Sequence, residues 1–320
     1  MALVALVKSE VVKHICSQNV DGLHLRSGVP PEKLSELHGD CFVEKCHRCK
    51  KSYHRDFEMK TVGFKYTGRR CTTEGCRGRL KDFVLDWDDA LPEDDLIKSE
   101  RNARESDVAL CLGTSLRIAP ACNIPPLTKK HGGKLVIINL QKTPKDKQAD
   151  MKIHGKSDII MKLLMQHLSL SIPPFVRKDR LRYGHLCKLA SKKRKLGTKV
   201  YQIKVFVTSI HGQELPIPWI ESCSGTISTP SGECIHFTDF CTTFQCSDEG
   251  RFSVSWTIKV KPELNPPRNT ITFEHSFTID DQQSPPQSME KQEELEVITS
   301  MHDVCAAVQE EGICKKEEED

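Results

Sequence analysis

Four cysteines fall in two close pairs, Cys46-x-x-Cys49 and Cys71-x4-Cys76, with 21 residues between the pairs. Two thiolate pairs on two turns supply opposite edges of a tetrahedron, which is the geometry zinc takes from four sulfurs. Such a set leaves no open position for water, so the zinc it would hold is structural rather than catalytic. The residues around the pairs are charged or glycine and build no core, so metal binding would supply much of this module's folding energy. The competing reading is a set of unrelated free thiols, with Cys41 or His47 as chance neighbours. Three further stretches could do chemistry: Ser17-Gln18-Asn19-Val20-Asp21-Gly22, Gly113-Thr114-Ser115 and Asn139-Leu140-Gln141. A histidine, His38, stands before Gly39; an imidazole can take up and return a proton. The plainer reading of His38 is a residue that caps the loop before Gly39.

The elements that must position these residues follow from apolar patterning. Short apolar runs at Val11–Cys16, Val108–Leu112 and Lys134–Leu140 read as strands, and each ends in one of the three polar stretches. Residues 31–37 read as a short helical turn delivering His38-Gly39. Helices are expected over about 91–106 and 157–168, the second with Ile160, Leu163, Leu164 and Leu168 on one side. Short apolar strands alternating with helices predict a parallel sheet with covered faces. Ligands of such sheets bind at the carboxyl ends of the strands, so the three polar loops are expected to converge on one site. From Cys41 to about Leu85 the pattern is that of a small module held by something other than a core.

Residues 176–199 read as a basic linker. Beyond them, Tyr201, Ile203, Val205 and Val207 alternate with polar residues, as do Phe252, Val254, Trp256, Ile258 and Val260. This period of two predicts an antiparallel β domain over 200–281. Residues 282–320 are rich in Gln, Ser, Pro and Glu and read as a disordered acidic tail. Cys223, Cys234, Cys241 and Cys246 lack paired spacing and read as strand residues, with a second metal site as the alternative.

Over 320 residues, 38% hydrophobic and 28% charged residues suffice for a packed core, and a net charge of +3 is too small to argue nucleic-acid binding. No apolar run reaches the roughly 18 residues of a membrane helix. Met1–Val7 lacks the basic flank of a signal peptide. Fifteen cysteines, four of them in metal spacing, fit a reducing intracellular compartment better than a disulfide scaffold.

The order of these motifs, from Ser17-Gln18-Asn19-Val20-Asp21-Gly22-Leu23-His24 through Leu37-His38-Gly39 and the cysteine pairs to Gly113-Thr114-Ser115 and Asn139-Leu140-Gln141, resembles the sirtuins. Val84-Leu85-Asp86-Trp87-Asp88-Asp89 and Ile153-His154-Gly155 are most similar to the nuclear sirtuin six/seven branch, sirtuin six above all. The resemblance covers roughly residues 1–172. It implies an α/β fold, an incomplete Rossmann-like parallel sheet (1–40 and 91–175) with an inserted zinc module (41–90), followed by the linker, β domain and tail. It implies an NAD-dependent protein-lysine deacylase acting on acylated lysines of histones or other nuclear proteins, with ADP-ribosyl transfer as an accompanying reaction. His38 matches the general base. Gln18, Asn19, Asp21, Gly113, Thr114, Ser115, Asn139, Gln141 and Ser157 match NAD contacts. Asp86 and Trp87 match the border of the acyl-lysine channel, with a core Trp as the alternative. Cys46, Cys49, Cys71 and Cys76 match the zinc ligands.

Full-length sirtuins open with a Gly-Ala-Gly-Ile-Ser type loop and an Asp-Phe-Arg segment, and nothing of the kind precedes Val11. The chain as given is therefore expected to bind NAD poorly, and a non-catalytic, zinc-stabilised chromatin adaptor is the alternative function. Lys192-Lys193-Arg194-Lys195, with Lys188 and Lys199 beside it, resembles a nuclear import signal that could also touch DNA phosphates. A solvated linker is the plainer reading. The expected location is the nucleus.

Overall fold

A computed structural model describes residues 1–192, 199–279 and 289–302. The chain divides into two units, Met1–Phe175 and Val176–His302 within the described residues.

In the first unit, helix α1 (Ala2–Lys8) buries Val4, Leu6 and Val7. Strand β1 (Ile15–Ser17) is followed by helix α2 (Leu23–Ser27) and strand β2 (Leu34–Glu36). The two strands pair in parallel, Ile15 opposite Leu34 and Ser17 opposite Glu36. The helical turn expected over 31–37 closes after Pro31–Lys33, and the remaining residues extend into β2. Proline fits the first position of a helical turn, while Leu34 and Ser35 are buried by pairing with β1.

An antiparallel sheet comes next: β3 (Gly39–Cys46), β4 (Ser52–His54), β5 (Tyr66–Arg70) and β6 (Arg79–Val84), in the order β4-β3-β6-β5. Its interior holds charge. Glu44 is fully buried and accepts hydrogen bonds from Arg55 and Arg69. Asp82 is buried beside it and takes the backbone N–H groups of Phe64 and Lys65 at 3.0 and 2.8 Å. A buried carboxylate is tolerated only with such partners.

Helix α3 (Glu93–Glu105) opens with Glu93, Asp94 and Asp95, which suit the positive end of its dipole. Then come β7 (Val108–Leu112), α4 (Pro125–Lys130), β8 (Lys134–Ile138), β9 (Met151–Ile153) and α5 (Ser157–His167). Strands β7, β8 and β9 form a parallel sheet in that order. Leu6 of α1 packs with Met161 and Met165 of α5. No helix of the described residues is long and apolar enough to cross a membrane.

The second unit is a β-sandwich. Its strands are β10 (Phe175–Lys192), β11 (Lys199–Ser209), β12 (Ile220–Ser228), β13 (Cys234–Phe237), β14 (Cys241–Cys246), β15 (Gly250–Val260), β16 (Thr270–Ile279) and β17 (Met289–His302). They form two sheets, β14-β11-β10-β17 and β13-β12-β15-β16. The predicted alternation is the core: Tyr201, Ile203, Val205 and Val207 of one sheet meet Phe252, Val254, Trp256 and Ile258 of the other.

Two expected boundaries differ. The run 176–199, expected as a linker, is a strand through Lys192, and Met289–His302 of the expected tail is another. Leu181, Tyr183, His185 and Cys187 are buried while Arg182 and Lys188 point away from the core. Within these two strands, charged side chains pair on outward faces, Lys178 with Glu296 and Arg182 with Glu294, both at 2.9 Å. Residues 193–198, 280–288 and 303–320 lie outside the described residues, and with them Lys193-Arg194-Lys195 and the rest of the tail.

Gly39 carries the first unit's tightest approach. Its φ is +80°, and a Cβ there would lie 1.9 Å from the Phe83 carbonyl oxygen. Gly39→Ala is expected to cost about 1–2 kcal/mol through the left-handed backbone alone, before the clash with the Phe83 carbonyl is added. Amide exchange should show lost protection along β3 and β6 with β15 unchanged, and unaltered protection in β3 would contradict this account.

Candidate functional site

His38 sits between the end of β2 and the start of β3, half-buried. Its Nδ1 lies 3.1 Å from the Gln18 carbonyl oxygen. A carbonyl only accepts, so Nδ1 carries the proton, and in the neutral ring Nε2 is the basic atom. The Gln18 side-chain oxygen accepts a bond from Thr114 Oγ1 at 3.3 Å. Gln18 thus joins the loop after β1, the loop after β7 and the histidine.

The third loop is tied in by backbone. Gly113 N–H donates to the carbonyl of Ile138, the last residue of β8, at 2.9 Å. Asn139 N–H bonds Ile153 O at 3.2 Å, and its side-chain amide donates to Gln141 O at 2.9 Å. Gly113 has φ +60°, and a Cβ built there would lie 3.8 Å from Ser157 Oγ, at the first residue of α5. Gln18, Thr114 and His38 therefore form one group, and Gly113, Asn139, Gln141 and Ser157 adjoin it through β7 and β8. Ser115 is exposed beside them.

Asn19 and Asp21 lie on the same loop as Gln18 but make local bonds. Asn19 N–H donates to Ser17 Oγ at 3.1 Å, and Asp21 Oδ1 accepts the Leu23 N–H at 3.0 Å. Leu85 N–H donates to the His38 carbonyl at 3.1 Å, which sets Asp86 and Trp87 one and two residues from the histidine backbone. The Asp86 carboxylate accepts the Trp87 N–H at 2.9 Å. Trp87 is 91% exposed, which removes the core-tryptophan alternative.

The cysteine quartet assembles as spaced in the sequence. Cys46 and Cys76 sulfurs are 3.7 Å apart, Cys49 and Cys71 3.6 Å, and all four lie within 4.8 Å of one another. With Zn–S bonds of about 2.3 Å, the edge of a tetrahedron is about 3.8 Å, so the set fits zinc. Hydrogen bonds from Thr73, chiefly, and Tyr53 push the Cys71 thiol down to about 5, favouring thiolate. The Tyr53 hydroxyl is 3.0 Å from that sulfur. A Cβ at Gly78 would come 2.4 Å from Cys46 Sγ, so the chain needs glycine there. Spacing alone gave no signal for Tyr53, Thr73 or Gly78.

His47 turns away to the Arg79 backbone, with Arg79 N–H 2.9 Å from Nδ1. Among the described residues no other group of histidine, cysteine and acid is placed to hold a metal. Cys223, Cys234, Cys241 and Cys246 sit on β12, β13 and β14 as strand residues.

Residues 1–120 match the family model "Sir2 family". The chain is 47% identical over 228 residues to NAD-dependent protein deacetylase SRT1 of Arabidopsis thaliana, covering 71% of this chain and 47% of that protein. It is 39% identical over 182 residues to NAD-dependent protein deacetylase Sirt6 of Drosophila melanogaster, 55% of this chain and 57% of that one. It is 37% identical over 190 residues to human NAD-dependent protein deacetylase sirtuin-7, 55% and 46% respectively. The chain spans about half the length of these relatives. The match to SRT1 is longer than the first unit, so it runs into the β-sandwich. Residues 1–120 thus carry a Sir2 family domain.

Proposed function

We propose that the first unit is the nicotinamide-releasing centre of an NAD-dependent protein-lysine deacylase, with His38 as its general base. The observation that carries this reading is the bond between His38 Nδ1 and the Gln18 carbonyl. It fixes the ring and leaves Nε2 as the atom that accepts a proton, which a base working near neutral pH requires. Around it, the amide of Gln18 and the hydroxyls of Thr114 and Ser157 suit ribose hydroxyls. The backbone of Gly113, at positive φ, suits a close phosphate. The NAD dependence is that of the named relatives.

NAD supplies the bond that is split and the ribose that receives the acyl group. The chain's residues do the rest. Gln18 holds the loop and the imidazole together, His38 Nε2 draws a proton from a ribose hydroxyl, and Asn19 and Asp21 orient the nicotinamide carboxamide. Asp86 and Trp87, exposed beside the His38 backbone, border the acyl-lysine. Histone or other nuclear substrates, and ADP-ribosyl transfer, belong to the same proposal.

The nicotinamide that the chain releases from NAD and an acetyl-lysine peptide, expected to be little, should fall by about 10² or more in His38→Tyr, as loss of a general base does. Release at an unchanged rate in the variant would end the assignment.

The quartet of Cys46, Cys49, Cys71 and Cys76 would hold one structural zinc, closed to water. Elemental analysis should find one zinc per chain and less than half of that in Cys71→Ser, with lost amide protection in β3 and β6. A metal-free native chain with ordered β3 would refute this.

The basic run Lys188–Lys199 supports a nuclear location and contact with DNA or chromatin. A tagged chain carrying Lys193→Ala, Arg194→Ala and Lys195→Ala should spread into the cytoplasm. Full nuclear retention would remove the import role.

A further inference from the structure

Each sheet of the sandwich ends in two edge strands, and an edge strand presents backbone N–H and C=O groups ready to pair with another chain. The described edges are β13 and β16 of one sheet, and β14 and β17 of the other. Three of them are guarded. β13 has only four residues and β14 six. β17 carries Glu294 and Glu296, held against Arg182 and Lys178. Shortness and charge both discourage a neighbour.

β16 has neither guard. It runs for ten residues, Thr-Ile-Thr-Phe-Glu-His-Ser-Phe-Thr-Ile, with no proline, glycine or lysine. Its ladder with β15 is unbroken from Thr270 opposite Lys259 to Ile279 opposite Gly250. In an antiparallel ladder alternate residues bond the partner, so the others aim their N–H and C=O groups away from β15. Among the described residues no strand pairs with that side. Thr270, Thr272, Glu274 and Thr278 are exposed on the outer face. On the inner face, Phe277 and Ile279 are buried in the core, while Ile271 and Phe273 are only partly covered. The one polar residue turned inward, His275, is 3% exposed and shares a 2.8 Å hydrogen bond with His185 of β10, so it is engaged within its own sandwich.

A second copy of the chain offers four edges to this strand. Its β13 and β14 are too short to cover ten residues, and its β17 would bring glutamates toward Glu274. Its β16 matches. A twofold axis normal to the sheet keeps every side chain on its own face, so the axis passes through one residue of the strand. Centred on Glu274, the two carboxylates would stand opposite each other, which destabilises strand pairing. Centred on His275, Ile271 meets Ile279 and Phe273 meets Phe277 on the inner face, while Thr272 meets Thr278 and Glu274 meets Ser276 on the outer. Apolar groups face apolar groups, and no like charges are opposed. We propose that β16 is a homodimer interface, in which the β16 strands of two copies pair antiparallel about His275 and join their four-stranded sheets into one. The added strand also covers Ile271 and Phe273. The pairing requires nothing of the chemistry proposed above.

The full chain should sediment as a dimer at about 100 μM, above the micromolar affinities of the weaker interfaces. Amides of β16 that do not bond β15 should gain protection from exchange as concentration rises. Thr272→Glu with Thr278→Glu sets acid against acid at two places across the joint. Within the chain, position 278 lies opposite Arg251, so the fold itself tolerates the new acid. This double variant should dissociate about tenfold more readily or worse, and Thr272→Lys with Thr278→Lys should do the same. Mixed together, the two variants should dimerise again, because each acid then meets a lysine. A wild-type monomer at that concentration overturns the proposal, and so does a dimer that both double variants leave intact. Weakened dimers that mixing does not restore overturn it as well. If a variant does not fold, the wild-type exchange data decide: protection of those amides that does not change with concentration overturns the proposal.

Discussion

The pairing of β3 with β6 is the constraint on which the first unit depends. One strand carries His38 at its leading edge and Cys46 at its far end, so the candidate base and the metal quartet are fixed by the same ladder. Gly39 lies opposite Val84 and Cys46 opposite Leu80. Between them the register slips from Asp40 to Glu44. Such a slip frees strand residues from their ladder partners. The freed groups are used: Cys41 N–H bonds the 17–22 loop at Val20, while the carbonyls of Phe42 and Cys41 accept N–H groups from Arg55 and Met59. An irregularity in the cysteine-bearing sheet thus holds the 17–22 loop that follows β1.

That module manages without much of a core because its charges are satisfied locally. Glu44 sits between two guanidinium groups, and Asp82 is ringed by backbone N–H groups. Removing one partner of such a buried pair leaves an uncompensated charge, which costs far more than the pair contributes. The sulfur quartet adds the remaining constraint, drawing the β3–β4 turn toward the β5–β6 turn.

Much of this was legible in the sequence where a short-range pattern carries the signal. The cysteine spacing gave the quartet, and the apolar runs gave β7 to the residue and β8 within two. The apolar run 157–168 gave the extent of α5 but not its face, since Met161 and Met165 are buried while Leu163 and Leu168 are exposed, and the alternation around Trp256 gave the sandwich core. The strands β10 and β17 were hidden because charge composition outweighs alternation when one face of a strand is ionic. Leu181, Tyr183, His185 and Cys187 alternate as clearly as any strand, but their neighbours read as a linker. Three-dimensional proximity left no trace in spacing. Glu36 and Asp40 looked like ordinary acids, and only the fold buries them. Trp87 could have been core or surface, and its type alone did not decide.

Strand β17 lies at the margin of its sheet, with β10 on one side only. Its outward glutamates neutralise Lys178 and Arg182 within the molecule. Glu293 points to the other face, where the Tyr183 hydroxyl donates to its carboxylate at 2.7 Å, so the strand sends acid both inward and outward. Charged side chains on an edge strand discourage the addition of a neighbour, and here they are held in pairs with the adjoining strand β10.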